Sequence, residues 1–441
     1  MDATPGSSDN GASGPRWWPT WLDRHPRRAL LLIVGIALCF CVARYMTERP
    51  DLEDGQTEHY WPLANHLLDG EGYSLCDPLY FPLCGPGNDA SAMREPLPTF
   101  LFAAVAFLTG RSFPLTVGTE MLLYLATLLV IFGFVRWWLG TRAALLSAFI
   151  WAFYLPAMKL INQLSGDLAG ALLFTACAWA FMHALRSGRT MHWVVTGALL
   201  GLGILSRSAL ILAALPWTVA AIMQGWRASR SVRPLVAFGA ALAIVLSPWV
   251  LRNHHVFGRY LVGTSMNGYN LFRNNHQLAS ENYFRYVDFL EGDTVVDELV
   301  ARRTDLPHVL NEAAMDTVYL HEGLRNLKAH PGRYVALSIW RLIPLWTNWG
   351  VNQAYHKPID AIDYLVVVQQ VVLLLLFLIG LRHMDRSLWP VLVAILLQVM
   401  AYAGLVAQVR YVVPIMPVVI AVAAAALLRL ASGKGRSVAV S

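Results

Sequence analysis

Carboxylates crowd one short stretch of the chain, where Asp51, Glu53, Asp54 and Glu58 fall within eight residues. An apolar helical stripe follows, and then Arg94, set against the prolines Pro96 and Pro98. Farther on, Asp167 opens an apolar run in Asn162-Gln-Leu-Ser-Gly-Asp167, and Arg207, Arg252 and Arg410 each border another. A carboxylate can take the proton of a hydroxyl. Arginine stays charged, and its planar fork pairs bidentately with phosphate oxygens. Acids and arginines gathered at a membrane surface therefore suit chemistry on an anionic, lipid-linked substrate. Such a transfer needs a base for the acceptor, cations for the departing phosphate and an apolar groove for the lipid chain. Each residue also has a plainer reading. The first acids can simply solvate a loop, Asp167 can stabilise a helix N-terminus, and any one arginine can snorkel to lipid headgroups.

The elements that must position these groups are membrane helices. Of 441 residues, 56% are hydrophobic and only 14% charged, against about 25% charged in an ordinary soluble domain. A span needs roughly 20 mostly apolar residues, and ten runs qualify: 29–46, 115–135, 143–161, 167–185, 192–206, 209–225, 234–251, 361–381, 387–407 and 411–430. The fold expected is an all-α polytopic membrane protein. Basic residues mark every second junction: Arg16, Arg24, Arg27 and Arg28; Arg136 and Arg142; Arg186 and Arg189; Arg227, Arg230 and Arg233; Arg382 and Arg386; Arg429, Lys434 and Arg436. The positive-inside rule then puts both termini in the cytoplasm. Asp54, Glu58, Arg94, Asn162, Asp167, Arg207, Arg252, Asn253 and Arg410 all fall at the opposite, outer ends. Four outer arginines meeting several carboxylates favour a phosphate or pyrophosphate site over four separate snorkelling side chains.

The chain divides accordingly. Residues 1–27 read as a disordered cytoplasmic tail and 28–46 as the first transmembrane helix, an uncleaved anchor because no small-residue cleavage site follows it. Residues 47–114 form a first extracytoplasmic loop with interfacial helices, and 115–251 a transmembrane core. Residues 252–360 form a second extracytoplasmic segment, 361–430 the C-terminal transmembrane helices and 431–441 a cytoplasmic tail. In the first loop Tyr60, Leu63, Ala64, Leu67 and Leu68 share one helical face, stopped by Gly70 and Gly72. The runs 96–108 and 334–349 are short and contain proline, so they read as interfacial or re-entrant. Helices are expected over 306–329 and 332–347, on either side of His330-Pro331-Gly332.

Several functions are disfavoured. The net charge of +6 is accounted for by junction arginines and lysines, so no nucleic-acid partner is expected. No phosphate-binding Gly-x-x-x-x-Gly-Lys-Ser/Thr loop or dinucleotide fingerprint is present, which argues against ATP or a nucleotide sugar as donor. His254 and His255 are adjacent without spaced acid partners, so nothing supports a divalent metal, and no cofactor is predicted. Cys39, Cys41 and Cys177 lie in apolar runs. Cys76 and Cys84 share the first polar loop and are a disulfide candidate if that loop is outside the cell.

The order of motifs resembles one family. The pieces are Tyr60-x3-Ala64-x2-Leu67-Leu68-x-Gly70-x-Gly72-Tyr73; Arg94-x-Pro96-Leu-Pro98-x-Phe100-Leu101; and Gly201-Leu-Gly203-Ile-Leu-Ser-Arg207. They continue with Pro248-Trp249-Val-Leu-Arg252-Asn253-x3-Phe257-Gly258-Arg259; Asn267-Gly268-Tyr269-Asn270-Leu271-x2-Asn274-Asn275; His330-Pro331-x2-Tyr334; and Arg410-Tyr411-x2-Pro414-x2-Pro417. Together they resemble the C-type membrane glycosyltransferases (GT-C fold) of the protein-mannosyltransferase-like and aminoarabinose-transferase-like group. The resemblance implies about ten spans (nine to twelve) and an inverting sugar transfer from a polyprenyl-phosphate donor. It implies a glycan, lipid or protein acceptor hydroxyl, on the outer face of the cytoplasmic (inner) membrane. It also implies a catalytic acid in the first outer loop, four residues before Tyr60, where this chain has Gln56. Asp54 and Glu58 flank that position, and either can be the base. Asp167 matches the family's second acid, while Arg207 and Arg410, with Arg94 and Arg252, are lipid-phosphate candidates. Tyr60, Asn162, Asn253, Asn270 and Asn275 are candidates for positioning substrate. Two other readings stay open: a flippase or transporter of lipid-linked sugars, which predicts charges at mid-bilayer, and a non-catalytic member that binds a polyprenyl lipid, suggested by Gln56.

Overall fold

The computed structural model describes residues 17–48, 59–85, 89–229, 231–349, 351 and 358–432. Among them every element is helical, apart from one isolated bridge between Ser74 and Ala90. Eight helices are long and apolar enough to cross a membrane, and a bent pair brings the number to nine. The run read as one span over 143–161 is that pair. The helix Thr141–Ala152 stops, and Leu155–Lys159 restarts it at an angle of 44° with Asn162 at its end. Pro156 explains the break, since it lacks an N–H and disfavours helical backbone before it. The run 192–206 forms a helix of only 17 residues, Thr190–Ser206. The disordered tail expected over 1–27 does not extend to residues 17–27. Thr20–Arg24 is helical, Pro26 opens the first long helix, and Asp23 pairs with Arg142 at 2.8 Å.

Burial sorts the helices by sequence. Val409–Ala431 is the most enclosed of the spans, 83% buried, and from Met416 to Ala424 every residue is inside. A helix apolar on all sides belongs in a centre, and its alanines let neighbours approach closely. Pro26–Thr47 and Arg233–Phe257, at 22% and 17% buried, lie on the periphery. Thr190–Ser206 packs along Arg233–Phe257 with its glycines at the contact. A Cβ at Gly197 would stand 2.2 Å from the Phe238 carbonyl, and one at Gly201 would stand 2.8 Å from Val245. This is the small-residue packing by which membrane helices associate without a hydrophobic driving force.

Basic junctions gather at one end of the bundle, where Arg186 lies 4.4 Å over the Trp137 ring and Arg429 reaches the His383 carbonyl. At the other end, the two long polar segments form one unit. Phe81 and Met93 from the first pack with Tyr269, Phe272, Met315 and Tyr319 from the second. Buried Glu312 fastens them further. It accepts hydrogen bonds from Ser91 Oγ at 2.7 Å, the Ala92 N–H at 2.8 Å and Ser265 Oγ at 2.7 Å. A disulfide joins Cys76 to Cys84 within the unit. The second segment also contains the helices Phe289–Arg302 and Glu312–Ala329, the first of which has no counterpart in the sequence reading.

Asp316, on Glu312–Ala329, accepts the Tyr269 N–H at 2.8 Å. Burial pushes its carboxyl up to about 7, against backbone hydrogen bonds that pull it down. The folded chain thus holds a proton that the unfolded chain releases near the ordinary value of 3.8. The stability associated with that proton is complete below the unfolded value and is lost as pH rises through about 7. Thermal unfolding of the purified protein against pH should show Tm falling more steeply across that window than in Asp316→Asn. Parallel curves for the two proteins would contradict the assignment.

Candidate functional site

Four chain segments converge where Thr190–Ser206 ends and the helix Asp167–Ser187 begins. Gly166 marks the crossing. A Cβ there would lie 2.3 Å from the Ser206 carbonyl oxygen, 3.2 Å from the Tyr60 hydroxyl and 3.5 Å from Pro98. Asp167, the first residue of its helix, is fully buried. Its Oδ1 stands 3.0 Å from Nε of Arg207, which is itself 9% exposed. The two charges are close, yet the pair lacks hydrogen-bond alignment, and neither carboxylate oxygen of Asp167 accepts an aligned hydrogen bond from the described residues. A buried carboxylate with spare acceptor capacity is a functional suspect. Helix-dipole capping alone does not require a guanidinium partner.

A second carboxylate, Glu95, belongs to the same cluster, and the sequence reading missed it. It is buried, and its Oε2 accepts the Tyr60 hydroxyl at 2.9 Å. Its Oε1 accepts the Ser208 N–H at 3.0 Å and Ser208 Oγ at 2.6 Å. Burial works to raise its pKa, but the Arg207 charge and the Ser208 hydrogen bonds outweigh burial and hold the group below the ordinary carboxylate range. Glu95 is therefore ionised at neutral pH. The available signal was its place between Arg94 and Pro96.

Two cations share one ring in this cluster. The guanidinium carbons of Arg207 and Arg410 each lie 5.0 Å from the centroid of Tyr411, and Arg410 reaches the Tyr411 hydroxyl at 3.4 Å. Tyr402 stacks on the same tyrosine at 4.8 Å with the planes 4° apart. Arg94 is close enough for its charge to act on both Tyr60 and Asp167, and its guanidinium donates to His59 Nδ1 at 3.0 Å. Glu120 closes the inner side, its Oε1 accepting the Ser165 N–H at 2.7 Å and so fixing the turn before Asp167.

The other expected site residues stand elsewhere. Arg252 gives its hydrogen bonds to the carbonyls of Ser91 and Tyr73 and to Asn253, and lies over the rings of Tyr73, Trp249 and Phe257. It fastens the first loop to the bundle, so its bonds are directed away from the Asp167 cluster. Buried Asn253 donates to the Leu261 carbonyl. Asn275 donates to Leu271 and Gly404 and accepts from the buried Arg341, a structural joint at the end of the helix Trp389–Leu405. Asn270 supplies its carbonyl to Asn274. Asn162 donates to the Glu48 carbonyl at 2.6 Å. Asp54, Glu58 and Gln56 lie outside the described residues. Among the described residues no three His, Cys, Asp or Glu side chains converge in a metal-binding group.

Residues 93–251 match the family model described as dolichyl-phosphate-mannose-protein mannosyltransferase. No curated protein sequence matches the chain. Among solved structures, the chain is similar to the oligosaccharyltransferase AglB from Archaeoglobus fulgidus, in complex with an inhibitory peptide and a dolichol-phosphate. The TM-score is 0.53 at 14% identity, over 92% of this chain and 50% of that one. The apo form of the Archaeoglobus fulgidus oligosaccharyltransferase gives a TM-score of 0.53 at 13% identity, over 93% and 51%. A structure of ArnT from Cupriavidus metallidurans bound to undecaprenyl phosphate aligns with a TM-score of 0.41 at 15% identity, over 91% and 78%. The chain spans about half the length of the archaeal enzyme. What is shared is the fold, that of the polytopic C-type membrane glycosyltransferases.

The crowding at Gly166 makes a direct prediction. Gly166→Ala forces a backbone clash with Ser206 and should cost about 1–3 kcal/mol as an overpacking change. Gly239→Ala, where a Cβ meets nothing within 4 Å, should leave thermal stability unchanged or slightly raised. Equal melting of the two variants would mean that the Gly166 crossing is not under packing constraint.

Proposed function

We propose that the chain is an integral membrane glycosyltransferase that moves a sugar from a polyprenyl-phosphate donor to an acceptor hydroxyl. The reaction takes place at the loop-bearing end of the bundle, on the outer face of the membrane. The observation that carries this reading is the buried Asp167–Arg207 pair, with Glu95 beside it and Arg410 sharing the Tyr411 ring with Arg207. Two guanidinium groups facing one ring at the end of an apolar bundle favour an anion with a lipid tail. The family match over 93–251 spans Arg94, Glu95, Asp167 and Arg207 together.

The chemistry follows from where charge moves. As the bond from the anomeric carbon to the phosphate oxygen breaks, negative charge builds on the polyprenyl phosphate. Arg207 and Arg410, with Arg94 at the outer side, stabilise that charge in a site with little water. The acceptor hydroxyl attacks the opposite face of the anomeric carbon, inverting it, and gives its proton to a carboxylate. Asp54 and Glu58, just before His59 in the sequence, are the candidates for that base. Asp167, with acceptor capacity unused and one side held by Arg207, orients the acceptor or the donor sugar. Glu95 keeps Tyr60 and Ser208 in place and balances Arg207. Arg252, Asn253 and Asn275 are absent from this scheme because their hydrogen bonds serve the framework. A flippase would need its charges near mid-bilayer, whereas those described here lie at one end of the bundle.

Reconstitution with polyprenyl-phosphate sugars and an acceptor pool from the cell envelope tests the reading. Transfer should be detected, and Asp167→Asn should lower kcat about 10²–10³-fold, the loss typical of one transition-state contact in a preorganised site. Exchanging Asp54 and Glu58 singly for Asn and Gln identifies the base as the one whose loss abolishes turnover. Transfer undiminished when all three acids are replaced would overturn the assignment.

A further inference from the structure

His59 precedes the helix Tyr60–Asp69 and has a backbone φ of 70°. That left-handed region is uncommon for any residue other than glycine, and such conformations persist only where the surroundings enforce them. Here both ring nitrogens are engaged. Nδ1 faces an Arg94 guanidinium nitrogen at 3.0 Å, and Nε2 faces Asp77 Oδ2 at 2.6 Å. Arginine has no acceptor, so Nδ1 must present its lone pair. The ring proton then sits on Nε2 and is donated to Asp77. The tautomer is set from both sides, and the imidazole is neutral.

The next residue repeats the contact, since Tyr60 donates to Glu95. Two adjacent residues of one segment thus hold two adjacent residues of another. The Tyr60–Glu95 contact lies inside the site, and the His59–Arg94 contact fixes the outer arginine. Asp77 is anchored in turn. Its Oδ1 accepts the Leu79 N–H at 3.0 Å, its carbonyl accepts from Tyr80 and Phe81, and the Cys76–Cys84 disulfide closes the loop that carries it. The Tyr80 ring meets His59 edge-on at 5.2 Å. Among the described residues, Asp77 and Arg94 are the charged groups acting on His59, while Asp293 and Arg273 act one step out, on Asp77 and Tyr80.

We infer that His59 is a positioning residue for the transfer: its neutral imidazole, oriented by Asp77, accepts from the Arg94 guanidinium and sets its orientation at the site, and protonation of Nδ1 turns that contact repulsive. The inference rests on the transferase reading given above. A proton on Nδ1 would set a donor and a positive charge against Arg94, which can neither accept a hydrogen bond nor lose its own charge. Burial and the Arg94 charge hold His59 below its ordinary pKa, with Asp77 pulling the other way. The His59–Arg94 contact is therefore attractive at neutral pH and becomes repulsive in acid.

Side-chain geometry separates the two contacts experimentally. In His59→Asn the amide oxygen takes the place of Nδ1 and keeps an acceptor for Arg94, and asparagine tolerates the left-handed backbone. In His59→Gln the amide nitrogen takes the place of Nε2, keeping Asp77 but losing Arg94. Turnover as a function of pH should fall in acid in both proteins as the carboxylate base protonates, but the acid limb of the wild type should lie at higher pH and be steeper than that of His59→Asn, whose kcat at neutral pH should stay within about tenfold. His59→Gln should lose about 10²-fold in kcat, the scale of an ångström-level misplacement. KM for the lipid donor should change much less. Imidazole ¹⁵N NMR provides a readout independent of turnover. The His59 titration should move up in Arg94→Gln, which keeps a donor and removes the charge, and down in Asp77→Asn. An unshifted titration in both variants, or an acid limb unchanged in His59→Asn, overturns the inference. Absence of transfer from every lipid-linked sugar overturns the transferase reading while leaving the measured coupling intact.

Discussion

The buried pair of Asp167 and Arg207 is the interaction around which this molecule is arranged. Removing either member from such a pair costs about 3–5 kcal/mol, because the other charge is left buried alone. Replacing both with packed apolar side chains is often neutral or stabilising, so stability does not by itself call for the pair. Its neighbours are built to admit it. Gly166 and Gly170 leave room for Ser206 and for the Arg207 side chain, Glu120 ties down the preceding turn, and Glu95 shares the cation. Three guanidinium groups, of Arg94, Arg207 and Arg410, stand against two carboxylates, of Asp167 and Glu95. Under the proposed reading, these guanidinium groups face a lipid phosphate.

The bundle delivers these groups from elements of unequal burial. The central helix is enclosed on all sides and carries Arg410 and Tyr411 at its loop-bearing end. Thr190–Ser206 is held to its neighbours through glycine contacts and ends at Arg207. Arg94 and Glu95 come instead from a polar unit that stands on the bundle. That unit is kept in register by Glu312, by Arg252 and by the Phe81–Tyr319 cluster. Charges that must act together are thus carried partly by the membrane helices and partly by the polar unit, and His59 and Tyr60 join the two.

Much of this was legible in the sequence, and the residues that were not share a cause. Long apolar runs have one outcome in a bilayer, so the helices fell close to where hydropathy placed them. The break at Pro156 was readable as a proline effect but was masked by apolar residues on both sides. Asp167 and Arg207 stood out because an acid and an outer arginine at span ends need an explanation. Glu95 did not, because its partners Tyr60 and Ser208 lie 35 and 113 residues away and its one local mark is its place between Arg94 and Pro96. Arg252, Asn253 and Asn275 illustrate the reverse. Polar residues at span ends are also what a framework needs to satisfy exposed backbone carbonyls, and only coordinates separate that use from substrate contact.

The central claim is that the Arg207–Arg410 end of the bundle holds a lipid phosphate. Titrating polyprenyl phosphate into the protein in nanodiscs, followed by ³¹P NMR of the phosphate, tests it most directly. The account predicts a saturable change in the phosphorus resonance that weakens at least tenfold in affinity in Arg410→Gln and in Arg207→Lys, both in folded protein of near-normal Tm. Saturable binding equally strong in both variants, or no saturable binding in the wild type, would contradict it.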